Sequence, residues 1–204
     1  MLYYLGRLFT IVWVRLFHRF KVTGQNNIPR EGGVVLVGNH VSLWDPFVLG
    51  SAVSRKVYFM AKEELFRFKP LGALLKAWGA FPVQRGGGDR KALETGLRHL
   101  KSGEVLGIFV EGGRNRARQA DGMLPPQPGA AMLARKTNTP IIPMALVGTE
   151  HIGRHPFQKV SVAIGTPIEV PTDGLSPKEA YDVIGHEIAR AIGELRATIV
   201  AQKA

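Results

Sequence analysis

Apolar and polar positions along the chain repeat with two different periods, and the switches between them mark out its elements. Residues 1–20, MLYYLGRLFTIVWVRLFHRF, follow a helical period. Arg7, Thr10, Arg15 and His18 fall on one side, with Ile11 and Val14 intruding, while Leu2, Leu5, Leu8, Phe9, Val12, Trp13, Leu16 and Phe20 fall on the other. The apolar runs that follow are short: VVLVG (34–38) behind Gly32-Gly33, KVYFMA (56–61), FPVQR (81–85), VLGIFV (105–110), IIPMALV (141–147) and VSVAIGTPIEV (160–170). Short apolar runs bounded by Gly and Pro have the character of buried strands. Helical patterns lie between them. PFVLGSAV (46–53) opens on a proline, which a first helical turn accepts. Residues 62–79 predict one or two short helices broken at Pro70, and residues 128–137 predict another. Over 89–101, Leu93, Leu97 and Leu100 recur at helical spacing before Gly103, a natural terminator. The last helix starts at Ser176, where Pro177 and Glu179 complete a capping-box pattern. Ala180, Val183, Ile184, Ile188, Ile192 and Leu195 form its apolar stripe. Strands alternating with helices predict a single α/β domain, with a mixed, mainly parallel sheet flanked by helices. No repeat, low-complexity stretch or domain boundary is visible after residue 30, so the chain divides into an N-terminal amphipathic helix (1–21) and one domain (22–204).

The first helix cannot span a bilayer, because its longest uncharged stretch, residues 8–14, is far below the roughly 20 residues required. It lacks the basic start and small-residue cleavage site of a secretory signal. Trp, Tyr and Phe on one side and Arg on the other suit a helix lying in a membrane interface. The alternative is a helix that turns its apolar side onto the domain core.

Composition narrows the function classes. With 45% hydrophobic and 21% charged residues over 204 positions, the chain buries a sizeable core and is not disordered. The absence of Cys excludes a disulfide scaffold, a thiolate nucleophile and a Cys-ligated metal. Lys and Arg number 27 against 16 Asp and Glu, a net +11, which calls for a polyanionic partner: nucleic acid, anionic lipid or a phosphorylated substrate. Residues 1–136 carry 21 basic and 9 acidic side chains (+12), and residues 137–204 carry 6 and 7 (−1). The basic residues are mostly spread singly, without a like-charge block, zinc-finger spacing or RNA-binding signature, which argues against nucleic acid.

Three loops after strands hold candidate chemistry. In Asn39-His40-Val41-Ser42-Leu43-Trp44-Asp45-Pro46, His40 and Asp45 would lie on different sides of a regular helix, and meet only if a turn separates them. Such a pair is a general base with an orienting carboxylate. Alternatively, Asp45 caps a helix and His40 is structural. Arg85, at the end of a short apolar strand, could fork two donors onto a phosphate, or be solvated. Phe109-Val-Glu111-Gly112-Gly113-Arg114 follows the most apolar strand, where α/β proteins commonly place ligands. Its glycines expose backbone N–H groups and Arg114 adds a fork, a combination suited to phosphate. Glu111 is odd beside an anion, and would hold an Arg or bond a substrate hydroxyl. The plain alternative is a Gly-Gly turn with a surface Glu–Arg pair. No Gly-x-Ser-x-Gly elbow of a lipase is present, and Ser42 is the only foothold for one.

Taken in order, His40-x4-Asp45, residues 79–85, Glu111-Gly-x-Arg114 and the apolar strand around Pro143 resemble the glycerolipid acyltransferase family, in particular its 1-acylglycerol-3-phosphate acyltransferases. The phrase VTGQNNIP (22–29) is similar to that family's entry segment, and the resemblance runs over residues 22–165. It implies that His40 takes the proton of an acceptor hydroxyl, that Asp45 holds His40, and that the acceptor attacks an acyl-CoA or acyl carrier protein thioester. It implies further that Arg85, Glu111, Gly112 and Arg114 bind the phosphate of lysophosphatidic acid. Pro143 would shape the acyl or acceptor pocket, and neither metal nor other cofactor is required. The expected location is the cytoplasmic face of the cell membrane, held peripherally or monotopically. The third motif departs from the family's usual Phe-Pro-Glu-Gly-Thr-Arg, with Val110 and Gly113 in place of Pro and Thr. A non-enzymatic anionic-lipid-binding protein, or an acyltransferase for another lysolipid or polyol, are the competing readings.

Overall fold

In the computed structural model, which describes residues 2–84, 89–114, 125–170 and 174–202, the predicted alternation forms one seven-stranded sheet. Its strands are β1 (Arg19–Thr23), β2 (Val34–Gly38), β3 (Val57–Lys62), β4 (Ala80–Val83), β5 (Val105–Phe109), β6 (Ile141–Val147) and β7 (Lys159–Ile164). They lie in the order β1-β7-β6-β2-β5-β3-β4. Every neighbouring pair is parallel except β6 and β7, so the sheet is mixed and mainly parallel, as the alternation predicted. All five residues of β2 are buried, which is why VVLVG reads as a continuous apolar run rather than an alternating one.

The helices are α1 (Leu2–Phe17), α2 (Asp45–Ala52), α3 (Lys69–Ala77), α4 (Arg90–Lys101), α5 (Gly129–Thr137) and α6 (Pro177–Ala201). On one face, Val14 of α1 and Val48 and Leu49 of α2 pack against Leu36, Phe59 and Met144. On the other face, Ala92, Leu133 and Ile188, from α4, α5 and α6, pack against Val37, Leu106 and Ala145. The predicted capping box is present: Ser176 Oγ accepts the Glu179 N–H and Glu179 Oε2 accepts the Ser176 N–H. Pro70 opens α3 rather than breaking it, after a 3-10 turn over Glu63–Phe66.

This topology creates the crevice that holds the site. The connection leaving β2 passes through α2 on one face, and that leaving β5 passes through α5 on the other. Neighbouring parallel strands whose connections diverge leave a gap between their carboxyl ends, the usual ligand position of an open α/β sheet.

The N-terminal helix departs from its prediction in two ways. It ends at Phe17 rather than Phe20, because residues 19–23 leave it to pair with β7. It also packs on the domain through its narrow side. Tyr3, Thr10, Val14 and the following His18 are buried, Gly6 lies against the Trp78 ring, and Arg7 Nε donates to the Gly50 carbonyl at 3.2 Å. Leu8, Phe9 and Leu16 face outward at 58, 60 and 67% exposure, so the helix does not turn its apolar side onto the core.

Candidate active site

His40 stands two residues beyond the end of β2 and is 8% exposed. Its Nδ1 lies 2.8 Å from Asp45 Oδ2. The same Oδ2 accepts the backbone N–H groups of Val41 and Ser42, each at 2.7 Å. The segment between the two residues therefore forms the turn that their spacing required. Asp45 is fully buried and is the first residue of α2, whose N-cap position is Trp44. Its carboxylate is thus spent on the turn and the imidazole, not on capping the helix. A carboxylate at Nδ1 fixes the proton there and leaves Nε2 as the basic nitrogen.

The imidazole also lies on an aromatic floor. The Phe109 ring stacks on it at 4.2 Å between centroids and 17° between planes, and Phe59 lies beyond Phe109 at 6.4 Å. Gly107 makes room for this arrangement, because a Cβ there would meet Phe59 Cε1 at 2.5 Å. Asn39, buried beside His40, donates its amide to the Leu146 carbonyl at 2.9 Å and accepts the Leu146 N–H at 2.8 Å. It stitches the end of β2 to β6 where backbone pairing has stopped. Phe109 and Asn39 escaped sequence reasoning. The only signal was position: Phe109 ends the most apolar strand and Asn39 immediately precedes the histidine.

The loop after β5 closes on the same place. Glu111, buried, accepts the His40 backbone N–H on Oε1 at 2.9 Å. Gly112 adopts φ +65°, and its N–H donates to the Phe109 carbonyl at 3.1 Å, turning the chain sharply beside the dyad. A Cβ at Gly112 would meet Gln127 Cγ at 3.2 Å. Arg114 follows, half-buried. Val110, one departure from the family motif, donates its N–H to the Gly38 carbonyl at 3.3 Å and accepts from Gln127 at 2.7 Å. A proline there could not make the first bond.

The structure therefore brings His40, Asp45, Glu111 and Gly112 together, with Arg114 two residues further along the chain. Arg85 lies outside the described residues. Pro143 is not with this group: it pairs with Val37 inside the sheet, and its ring faces Gly165 and a separate cleft beneath α6. A cleft of about 660 Å³ reaches Phe109, Glu111 and Gly112, though neither His40 nor Asp45 lines it, and is walled by Met60, Val83, Leu93 and Met132. Among the described residues, no cluster of three or more His, Asp or Glu is placed to hold a metal ion.

A base with an oriented tautomer, beside a glycine turn, suits deprotonation of a hydroxyl that attacks an acyl group. Comparison with known proteins agrees. The profile of the Acyltransferase family matches residues 19–147. A 1-acyl-sn-glycerol-3-phosphate acyltransferase of Bacillus subtilis (strain 168) is 32% identical over 179 residues, 86% of this chain and 87% of that protein. One from Borreliella burgdorferi is 30% identical over 132 residues, 64% of this chain and 52% of that protein. Among solved structures, the 1-acyl-sn-glycerophosphate acyltransferase PlsC of Thermotoga maritima superposes with a TM-score of 0.73 at 27% identity, over 95% of this chain and 79% of that one. By profile, sequence and fold, this chain belongs to the acyltransferase family.

Proposed function

We propose that the protein transfers a fatty acyl group from an acyl-CoA or acyl carrier protein thioester to the free sn-2 hydroxyl of 1-acylglycerol-3-phosphate, making phosphatidic acid. The observation that carries this reading is the buried His40–Asp45 pair, Nδ1 to Oδ2 at 2.8 Å, with Nε2 left free of that carboxylate. Nε2 takes the proton of the acceptor hydroxyl as its oxygen attacks the thioester carbonyl. The C–O bond forms, the tetrahedral intermediate collapses, the C–S bond breaks, and the departing sulfur takes the proton back from His40. Asp45 holds the tautomer and stabilises the imidazolium between the two steps.

The acceptor follows from the relatives named 1-acyl-sn-glycerol-3-phosphate acyltransferase and from the phosphate-suited segment Gly112-Gly113-Arg114, with Arg85. Glu111 belongs to this site as the tether of the His40 backbone. The cleft walled by Met60, Val83, Leu93 and Met132 is the apolar room for an acyl chain. Reaching a single-tailed anionic lipid calls for a protein seated on a bilayer. The outward apolar side of α1 supports a peripheral or monotopic seat on the cytoplasmic face of the cell membrane. No helix among the described residues is long and apolar enough to cross a membrane.

The test is release of free thiol from acyl-CoA and acyl carrier protein donors, each offered lysophosphatidic acid or a neutral lysolipid. Thiol release dependent on lysophosphatidic acid, lowered about 10²–10⁴-fold by His40→Ala, is expected. Thiol release indifferent to acceptor, or an unaffected His40→Ala enzyme, refutes the assignment.

A further inference from the structure

One charged cleft plays no part in the chemistry at His40. It lies at the edge of the sheet, where α1 ends and the edge strand β1 begins beside the start of β7. Arg15, Arg19, Lys21 and Lys159 line it, and no carboxylate does. Lys21 and Lys159 each donate one bond to Gln202, at the end of α6, at 3.2 Å, and each ammonium keeps further protons to give. Arg15 and Arg19 are exposed. Leu16 also lines the cleft and belongs to the outward apolar stripe of α1, so the cationic cleft and that stripe form one continuous surface.

Phe157 adds a second, independent observation. It lines the same cleft, is 68% exposed, and has φ +64°, a conformation that a bulky L-residue adopts only against a steric penalty. Its N–H donates to the Phe17 carbonyl at the end of α1, at 2.6 Å. The strained backbone is thus tied to the helix terminus, and it presents an aromatic ring to solvent beside four cations. Strain kept at an exposed position, with no core packing to reward it, is the usual mark of function.

We propose that this cleft binds the phosphodiester headgroups of anionic lipids in a bilayer, with Phe157 and Leu16 entering the interface beside them. It sets lipid selectivity through residues that are not those of the His40 site. The inference rests on the membrane-surface reading of α1. That helix supplies apolar anchorage without lipid preference, and the cleft adds the preference for negative charge.

The experiment is sedimentation of the full chain with vesicles of phosphatidylcholine alone, or of phosphatidylcholine with phosphatidylglycerol. A cation at an anionic surface changes partitioning about fivefold, so Arg15→Gln with Arg19→Gln weakens binding to the mixed vesicles about 25-fold and leaves binding to the neutral ones unchanged. Arg98→Gln with Lys101→Gln removes the same charge from α4, on the opposite face of the sheet, and changes binding less than about twofold if headgroups sit in the cleft. Phe157→Gly relieves the left-handed strain, so the melting temperature holds or rises while binding to mixed vesicles still falls severalfold. Equal losses from the two charge pairs mean diffuse attraction and overturn the cleft. Binding that persists through both cleft variants but is lost in Leu8→Asp overturns the cleft alone. Failure of the unaltered chain to bind either vesicle overturns the seat on α1 as well.

Discussion

His40 is fixed by three different kinds of contact: a carboxylate at Nδ1, an aromatic ring beneath the imidazole, and Glu111 at its backbone N–H. The first was legible in the sequence, since a His and an Asp five apart meet only through a turn, and Asp45 builds that turn with its own oxygen. The other two were not. They join residue 40 to residues 109 and 111, and depend on the register that sets Gly38 opposite Phe109. No local period carries that information. Glu111, expected at the phosphate, accepts the His40 N–H and so can also serve as a tether of the base, and the two roles predict different variants. Glu111→Gln keeps an oxygen for the His40 N–H and should retain the loop. Glu111→Leu leaves a buried donor unpaired, at a cost of about 1–3 kcal/mol. A lower melting temperature and lower kcat for the leucine variant, with a near-normal glutamine variant, is the expected result. Equal loss of acceptor affinity in both, at unchanged stability, would return Glu111 to the phosphate.

At the scale of elements, periodicity located almost every strand and helix, and it failed where a partner distant in sequence decides the outcome. The pattern of α1 continues to Phe20, yet the helix stops at Phe17 because β7, more than a hundred residues later, offers β1 a strand partner. The order of motifs places Pro143 with the site, and the sheet sets it opposite Val37 with its ring toward Gly165 and α6, a position that depends on register and not on any local period. Helix ends are more local. Asp89 caps α4 beside the cleft, accepting the N–H groups of Gln84 at 2.8 Å and Ala92 at 3.1 Å. Those two bonds hold its carboxyl below the ordinary value of 3.8. A carboxyl with a lowered folded value binds fewer protons in the folded than in the unfolded state. Its contribution is therefore complete above that ordinary value and disappears as pH falls through the folded one. Asp89→Ala should cost about 1 kcal/mol near neutrality, the loss of a helix cap. In thermal melts on acidification the wild type should lose this advantage and converge on the variant. A constant gap between them down to the most acidic melt would show that the carboxyl's charge plays no part.

At the scale of the whole molecule, the proposed seat on an anionic bilayer would account together for the net charge of +11 and the outward apolar side of α1. The sequence left two readings of that helix, membrane surface or core packing, because amphipathicity gives the angle of the apolar side and not the neighbour it meets. The domain resolves half of the choice by accepting the narrow side: Gly6 under Trp78, then Thr10 and Val14. The two sides then make opposite predictions. Val14→Ala opens a cavity in the core and should cost about 2 kcal/mol, with vesicle binding retained by the folded fraction. Leu8→Asp alters an exposed position, so its stability should stay within about 0.5 kcal/mol of wild type, while vesicle binding and turnover of bilayer-presented acceptor fall together. Acceptor dispersed in detergent needs no seat on a bilayer, so Leu8→Asp should turn it over at the wild-type rate. If Leu8→Asp loses activity equally in both assays, α1 serves the catalytic domain directly, and the bilayer is not what its apolar side is for.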